Sequence, residues 1–479
     1  MFGGVGAVGG GYDSVVTPSL WGSGGGVGES AGGAGGGALC LVVAGTLQLD
    51  GVIAADGMSA AGWSAGGGAG GSIQISAGTL AGGGLISAQG GSTGITGGNG
   101  GGGGGGGRIA LYLTQNTFGG TITAAGGLGF QNGGAGTIYT KLASAAYGQV
   151  LVNNGTNAGL TRLNSSLWPA GVVFNLTLSG DAIVKPDAPL TFMNLVLTNG
   201  ATLCHDAGQS GFYITALGNA LIAANASINV NGLGYGSDTG PGAGSRSGFV
   251  SGSGAGYGGL GQACYAFSGV PPGQGGGTYG SATEPIALGS GGGGSDYGSG
   301  GAGGGAIRLT VAGTLQLDGA ISANGLTGAM LAGSGSGGSI WITAGTLAGS
   351  GSVSALGGGA GVDGAAGGGG RIALYLTQTT FGGTINAAGG LGLQNSGEGT
   401  IYTVSGPPPP PCPNAAVVGS ALRVSWSTGC GGRYQVWSSP DLVHWSLYGP
   451  VQAGTSGILT LDCPMTNSPA LFFQVQLGN

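Results

Sequence analysis

The chain has 479 residues, of which 125 are glycine and only 5% are charged, whereas a typical globular domain has about 25% charged residues. Nine basic and 15 acidic residues give a net charge of −6, which leaves no basic surface for a nucleic acid backbone. The mean hydropathy of +0.32 argues against ordinary disorder, and 18 prolines without a strict glycine period argue against collagen. These values exclude a typical soluble enzyme and predict short apolar stretches separated by glycine.

The N-terminal sequence begins inside a repeat. The segment YDSVVTPSLWGSGGG starts at Tyr12, and a related segment, YGSATEPIALGSGGG, starts at Tyr279. The first ten residues have neither the basic region nor the apolar run of a signal peptide. We therefore expect the rest of the repeat, with any signal peptide, to lie upstream of Met1. No apolar run reaches 18 residues, so we also expect no membrane insertion.

Internal repeats organise residues 1–405. Two longer segments recur roughly 265 residues apart, AGTLQLDG at Ala44–Gly51 and Ala312–Gly319, and RIALYLTQ at Arg108–Gln115 and Arg371–Gln378. A shorter pattern, G-x-[IV]-x-A-x-G, recurs within them at intervals of 32 to 36 residues. It begins at Gly51, Gly84, Gly120, Gly319, Gly351 and Gly383.

Apolar residues alternate with polar or small ones inside each short repeat, which predicts strands with one buried row. The buried rows are Ile73 and Ile75, then Ile109, Leu111 and Leu113, then Ile372, Leu374 and Leu376. One set of strands per repeat is stable only when it stacks on its neighbours. The predicted fold is therefore all-β, a continuous glycine-rich parallel β-solenoid (β-helix) in which Ile53, Ile86 and Ile122 stack on one another.

Glycine runs such as Gly101–Gly107 and Gly291–Gly294 have no side chains for an apolar core. They are either flexible loops or extended polyglycine segments with three residues per turn that pack through main-chain hydrogen bonds. We favour the packed form, because the adjoining solenoid is rigid.

Composition divides the chain into five parts. Residues 1–146 are the first solenoid repeat, 147–274 are connecting coils with a Gly/Tyr-rich decoration, and 275–405 are the second repeat. A polyproline linker occupies 406–411, and 412–479 form a β-sandwich module, because five strand-like stretches with aromatic residues replace the glycine runs.

Several residues are candidates for chemistry, and each also has a structural explanation. Asp50 and Asp318 precede a glycine, which is a strong turn signal. Asp181 and Asp187 flank Lys185, and this arrangement favours a solvated loop over a catalytic pair. The remaining candidate is Cys204-His205-Asp206, which could suggest a nucleophile or a metal site. A nucleophile needs a separate base and a group that orients it, and the only other histidine in the sequence is His444, in another domain.

Two further positions are marked by the repeats. Arg108 and Arg371 follow glycine runs, so each is either a staple that donates to neighbouring carbonyls or a solvent-facing side chain. Cys40 replaces the arginine found at 308 in the second repeat, which predicts an outward, exposed thiol suited to intermolecular pairing.

The C-terminal module contains three cysteines and three candidate sugar-stacking tryptophans. Cys430–Cys463 is the preferred disulfide, because Cys412 adjoins the polyproline. Trp426, Trp437 and Trp445 are either a carbohydrate platform or core residues of a small sandwich, and the core explanation is favoured. The segment SSPDLVHW predicts a hairpin turn.

Residues 1–405, with GGGAIRLTVAGTLQLDGAISANG, GGGGRIALYL and GEGTIYT, resemble the glycine-rich repeats of large secreted or surface proteins of environmental bacteria. YQVWSSPDLVHWSLYG and LFFQVQL resemble the sandwich modules that close many such proteins. The resemblance implies a surface or extracellular structural role and transfers no active residue.

Two functions therefore remain open. One is an extracellular structural or adhesive protein that forms a rod or fibre, and the other is a carbohydrate-binding or polysaccharide-processing β-helix. Low lysine content and cysteines without any C-x-x-C spacing favour an extracellular setting. We expect no enzyme activity, no catalytic residue, no cofactor and no metal. The expected partners are further copies of the chain and, secondarily, surface glycans.

Overall fold

The computed structural model describes residues 10–478, except 63, 94–99, 170, 211, 248–250, 265–270, 393–395, 406–413, 419–420, 428–432, 442, 450–451, 454–457 and 465–471. The described part is nearly all-β. Its one helical element is a short 3₁₀ turn at Ser165–Leu167. Nothing in this part is a helix long and apolar enough to cross a membrane.

The first half of the chain contains nineteen short and long strands. They are β1 (Ala38–Gln48), β2 (Val52–Ala54), β3 (Ser72–Gly82), β4 (Leu85–Ser87), β5 (Arg108–Phe118), β6 (Thr121–Thr123), β7 (Thr137–Leu142), β8 (Gly148–Asn153), β9 (Leu160–Leu163), β10 (Phe174–Ser179), β11 (Ile183–Pro186), β12 (Leu190–Phe192), β13 (Leu195–Leu197), β14 (Thr202–Leu203), β15 (Tyr213–Ala216), β16 (Ala220–Ile222), β17 (Ser227–Asn229), β18 (Arg246–Ser247) and β19 (Ser251–Gly252).

The second half contains the remaining described strands. They are β20 (Ala306–Leu317), β21 (Ala320–Ser322), β22 (Ser339–Gly349), β23 (Ser352–Ser354), β24 (Arg371–Phe381), β25 (Thr384–Asn386), β26 (Thr400–Ser405), β27 (Asn414–Val418), β28 (Ala421–Ser427), β29 (Arg433–Ser439), β30 (Ser446–Leu447), β31 (Gln452–Ala453), β32 (Ile458–Pro464) and β33 (Phe472–Gly478).

Most strands before residue 406 belong to one large, mostly parallel sheet of 14 strands. Its order is β1-β3-β5-β7-β8-β10-β13-β16-β20-β22-β24-β26, with β12 and β15 beside that path. The intervening short strands form two further parallel sheets, β2-β4-β6 and β25-β23-β21-β17-β14-β11-β9. In each repeat the chain therefore adds one long strand and then one short strand.

The predicted buried rows are confirmed. Ile53 lies opposite Ile86, and Ile86 lies opposite Ile122, so the short strands stack in register. In the long strands Ile73 lies opposite Ile109, and both side chains are fully buried. Hydrophobic residues on both kinds of strand share the same clusters, so the space between the sheets is the core.

The expectation of one uninterrupted parallel stack is wrong at one junction. Strand β8 pairs with β7 in the antiparallel direction, with Ile138 opposite Leu151. The short strands are interrupted at the same place, because β6 ends one sheet and β9 begins another. The physical cause is the tight connection after Leu142, which returns the chain beside the strand that it has just left.

The glycine runs form ordered layers. Successive amides of the segment 66–71 point to three different neighbouring segments, and the pattern repeats every third residue. The amides of Gly66 and Ala69 donate to the carbonyls of Gly26 and Ser23, respectively. Those of Gly67 and Gly70 donate to Gly102 and Gly105 in the next run, and those of Gly68 and Gly71 donate to Met58 and Ala55. This repeat matches an extended backbone with three residues per turn, so the packed alternative is supported over the flexible one.

Glycine is required where these segments meet. A Cβ atom on Gly67 would collide with the carbonyl oxygen of Gly91, and one on Gly104 would collide with that of Gly68. Because backbone contacts backbone here, a larger residue has no space.

The expected Gly/Tyr-rich decoration is buried in its later part, since residues 251–259 are mostly buried, whereas 236–241 are half-buried or exposed. Tyr257 is one of the largest fully buried side chains of the described residues. Ala255 donates to Ser334, and Gly258 donates to Gly369, so this segment lies within the glycine layer of the second repeat.

The C-terminal strands form two antiparallel sheets, β27-β28-β32 and β30-β29-β31 with β33 beside β29. Val424 of one sheet and Val436 of the other belong to the same buried cluster. The predicted hairpin at SSPDLVHW is confirmed, since Trp437 of β29 pairs with Leu447 of β30.

Candidate functional site

The arginine that follows each glycine run anchors a segment on the outer face of the large sheet. Arg371 donates from Nε to the carbonyl oxygen of Tyr279 (3.0 Å), from Nη1 to Thr400 Oγ1 (3.2 Å) and from Nη2 to the carbonyl of Tyr257 (3.3 Å). Nearby, the Tyr375 hydroxyl donates to the carbonyl of Thr283 (2.9 Å). Side chains of β24 therefore hold the segment 279–283, and Ser339 of β22 donates to the carbonyl of Ala287 further along.

The first repeat has the same arrangement. Arg108 donates from Nε to the carbonyl of Tyr12 (2.8 Å) and from Nη1 to Thr137 Oγ1 (3.0 Å), and Tyr112 donates to the carbonyl of Val16 (2.7 Å). Burial lowers the pKa of Arg108 to about 10, so it is protonated at neutral pH. The arginine is thus a staple in both repeats, although its backbone acceptors are tyrosine carbonyls, not glycine carbonyls.

The buried serine next to each staple contacts the equivalent backbone carbonyl in both repeats, that of Leu20 for Ser72 (2.6 Å) and that of Ala287 for Ser339 (2.5 Å), but its second partner differs. In the second repeat the hydroxyls of Tyr257 and Ser339 are 2.6 Å apart. In the first, Ser72 donates to the Asp13 carboxylate (2.8 Å). Asp13 has φ 70°, and the equivalent Gly280 has φ 69°, so the backbone turns identically. Asp13 therefore takes the position that the Tyr257 hydroxyl occupies in the second repeat.

The Asp13 carboxylate also accepts hydrogen bonds from the amides of Ser19 (2.8 Å) and Leu20 (2.9 Å). Burial raises the pKa of this carboxyl, but these bonds and the one from Ser72 outweigh burial, and the net pKa lies below its ordinary value. Sequence reasoning missed Asp13 and Tyr257. The sequence signal for Asp13 was that it stands where the second repeat has Gly280.

Asp50 and Asp318 are structural, as predicted. Asp50 accepts hydrogen bonds from Gln48 Nε2 (2.8 Å) and the Gly83 amide (3.1 Å), and these bonds lower its pKa. Asp318 makes the equivalent bonds to Gln316 Nε2 and the Ser350 amide. Each carboxylate therefore links a turn to the turn of the next repeat.

The structure does not bring Asp181 and Asp187 together around Lys185. Lys185 pairs with Asp206 (3.1 Å), which also pairs with Arg162 (2.7 Å). Asp187 instead accepts a hydrogen bond from the Ser165 amide (2.7 Å). Arg162 and Lys185 both hold the pKa of Asp206 below its ordinary value, with the Arg162 hydrogen bond as the largest contribution.

His205 is a fully buried structural residue. Its Nε2 accepts a hydrogen bond from the Ala306 amide (3.3 Å), so the proton lies on Nδ1, which donates to the carbonyl of Asp206 (2.6 Å). Burial lowers the pKa of His205 and raises that of the neighbouring Cys204 thiol. Both groups are therefore neutral at pH 7, and neither is an activated nucleophile or base.

The described cysteines are free thiols. Cys40 is exposed on β1 as predicted, whereas Cys204, Cys264 and Cys463 are buried. Cys463 is a free thiol beside Tyr448 in the core of the C-terminal module, and Cys430, its predicted disulfide partner, is not among the described residues. Cys412 and Cys430 lie outside the described residues.

The C-terminal candidates have structural contacts. Asp441 accepts hydrogen bonds from the amides of Val443 and His444 and pairs with His444 Nδ1 (2.7 Å) at the hairpin turn, and these bonds lower its pKa. Trp437 and Trp445 are half-buried, and Trp437 Nε1 is enclosed without a hydrogen-bond partner. The side chain of Trp426 lies outside the described residues.

One shallow depression lies beside the first staple. It is lined by Tyr12, Ser19, Leu20, Trp21 and Ser23, and the side chain of Trp21 is 76% exposed. Over the described ranges, no group of three or more His, Cys, Asp or Glu side chains has the arrangement of a metal site. The exposed ring of Trp21 and the nearby serines give the depression an aromatic face and hydroxyl groups that a ligand could contact.

The main path of the large sheet ends in β1 and β26, and among the described residues each of them pairs with one strand, β3 and β24 respectively. Off that path, β12 also pairs with one strand, β15. We call β1 and β2 the leading end, and β25 and β26 the trailing end. Unpaired strand edges are sites where another strand can add.

Comparisons with protein-family models, with curated proteins and with solved structures found no match for this chain.

Proposed function

We propose that the chain is an extracellular structural protein, in which residues 1–405 are a parallel β-solenoid that serves as a stiff rod at the cell surface or in the matrix. The C-terminal module is a small β-sandwich that the rod carries. The observation that carries the proposal is the glycine layer, whose amides bond to three neighbouring segments in turn. A backbone connected in several directions resists bending without needing a thick apolar core.

The polar side chains support the same proposal. Arg108, Arg371 and Asp13 bond to backbone atoms of the anchored segments, and Asp50 links successive turns. These groups therefore contribute to rigidity, and their hydrogen-bonding capacity is directed at the chain itself. The low charge and the absence of any C-x-x-C spacing suit an extracellular location.

Labelling of intact cells tests the location and role. Antibodies against the chain should label the surface or matrix of unpermeabilised native cells, and deletion of the gene should reduce cohesion of that material. Labelling that appears only after lysis would contradict the proposal.

A carbohydrate-binding function is the second candidate, and the exposed Trp21 beside Tyr12 favours it. Aromatic faces pack against sugar rings, and Ser19 and Ser23 offer hydroxyl groups nearby. A glycan array compared between the native chain and Trp21→Ala tests it. Binding that Trp21→Ala abolishes would support this candidate, and a silent array would exclude it.

A further inference from the structure

We propose that molecules of this 479-residue chain associate end to end, with the leading end of one bound to the trailing end of a second copy, so that the parallel sheets continue across the contact. This inference rests on the proposed structural role and names the partner that the rod binds. The occupant is a second copy because the chain itself presents β26, a strand of 6 residues, at the other end of the sheet from β1, a strand of 11 residues. Within one molecule the antiparallel β7–β8 pair makes β26 run opposite to β1, so the second copy is rotated by a half-turn about the rod to pair in parallel.

The internal repeat shows what an edge like that of β1 accepts. Its counterpart in the second repeat, β20, is covered by two parallel strands. Tyr213 of β15 lies opposite Arg308, and Ala220 of β16 lies opposite Leu315. The counterpart of β2 is likewise covered, since β17 pairs in parallel with β21. The leading end thus has the backbone of an edge that elsewhere in this chain takes parallel strands.

The exposed residues of the two ends are apolar. Val42 of β1 is 75% exposed, Val52 of β2 is 65% exposed, and Ile401 of β26 is 49% exposed. In the second repeat the row that corresponds to Val52 is covered by β17. Association of the two ends would remove this apolar surface from water.

Charge distinguishes β1 and β26 from their covered counterparts. Cys40 of β1 replaces Arg308 of β20, and Val404 of β26 replaces Lys141 of β7. Charged residues on edge strands normally prevent association. Strands β1 and β26, and the short strands β2 and β25, have no charged residue at all.

The missing lysine also explains why β26 suits a parallel partner. In the first repeat Lys141 donates to the carbonyls of Ala145 and Ala146, which stabilises the tight turn into antiparallel β8. Val404 has no donor for such a turn. Within the described ranges, β24 is the one strand that pairs with β26.

The register follows from the existing columns of the sheet. Cys40, Gln74, Ala110 and Tyr139 form one column in the first repeat, and Arg308, Trp341, Ala373 and Tyr402 form the same column in the second. Continuing the column places Tyr402 of one copy opposite Cys40 of the next. Neighbouring strands lie about 4.8 Å apart, which is within disulfide range.

A cysteine cross-link tests the contact and its register. All variants carry Cys412→Ser and Cys430→Ser, so that the described buried thiols and Cys40 remain. Adding Tyr402→Cys and oxidising at micromolar concentration should give a ladder of covalent multimers on a non-reducing gel. Adding Cys40→Ser to this variant should abolish the ladder, and Thr403→Cys, one residue out of register, should give far less.

Charge substitutions provide a second test without cross-linking. Val42 lies in the column that Val404 would join, so Val42→Lys with Val404→Lys should leave only monomers in sedimentation velocity. Val42→Lys with Val404→Glu should restore the multimers that the native chain forms. The melting temperatures of these variants serve as the check on folding.

A native chain that sediments only as a monomer would overturn the proposal. So would oxidation products that stop at dimers and depend on Cys40 alone, because these would indicate a leading-end to leading-end contact. Either result leaves the surface labelling and the order of the glycine layer unaffected, so it would not overturn the proposed structural role.

Discussion

Arg371 shows how much one side chain contributes to this fold, since it satisfies two backbone carbonyls and one hydroxyl. Its removal leaves the part-buried carbonyl of Tyr279 without this donor, whereas the carbonyl of Tyr257 still accepts a hydrogen bond from the Tyr279 amide. Each buried acceptor that loses its partner costs about 1–3 kcal/mol.

We therefore expect Arg371→Met to lower the free energy of unfolding by about 1–3 kcal/mol. Arg162→Met is the control, because Arg162 makes an exposed ion pair with Asp206. Such pairs contribute at most about 1 kcal/mol. Chemical denaturation of both variants measures the difference. An equal loss of unfolding free energy in the two variants would contradict the role of Arg371 as a staple.

His205 makes stability depend on pH. The folded chain buries His205 in its neutral form, so the pKa of His205 is lowered in the folded state. In the unfolded chain the same side chain takes up a proton near pH 6.5. The stabilisation that comes from burying neutral His205 is complete above pH 6.5. As the pH falls below 6.5, the free energy of unfolding decreases by up to about 1.4 kcal/mol per pH unit.

We expect the free energy of unfolding to decrease between pH 6.5 and pH 5, and His205→Gln to remove most of that decrease. His444→Gln is the control, because His444 is exposed and pairs only with Asp441. A decrease that persists in His205→Gln and disappears in His444→Gln would show that the assignment is wrong.

The strands were predictable from sequence because their buried rows repeat, as Ile109 and Ile372 do at equivalent positions. The burial of Tyr257 was not, because its segment has no second occurrence and no alternation. Asp181, Asp187 and Lys185 were grouped by proximity in sequence, whereas Lys185 reaches across to Asp206. The repeats marked the positions of the two arginines, but the sequence could not decide between a staple and a solvent-facing side chain. The carbonyls that the arginines contact are distant in sequence.

The glycine layer makes a position-specific prediction at the scale of one element. Gly104→Ala should destabilise the chain by about 1–3 kcal/mol, because its Cβ would collide with the carbonyl of Gly68. Gly105→Ala is the matched control in the same run. Its Cβ would lie 3.9 Å from the Gly134 carbonyl, so it should be neutral or stabilise by about 0.4–1 kcal/mol. Thermal unfolding of both variants measures the contrast, and equal melting temperatures would mean that the run is not packed.

At the scale of the whole molecule, the antiparallel junction between β7 and β8 divides the parallel stack without ending the large sheet. Both repeats keep their staples and their glycine layers on either side of it. The rod that we propose is therefore two similar units joined by connecting coils.

Amide hydrogen exchange of the intact chain tests the central claim most directly, namely that the glycine runs are a bonded part of the rod. The bonded amides of these runs, Gly103, Gly104, Gly106 and Gly107 in the first repeat and 367–370 in the second, should exchange as slowly as those of the adjoining strands β5 and β24, because they donate to neighbouring segments. Glycine runs that exchange at the rate of an unstructured peptide, while β5 and β24 stay protected, would contradict the account.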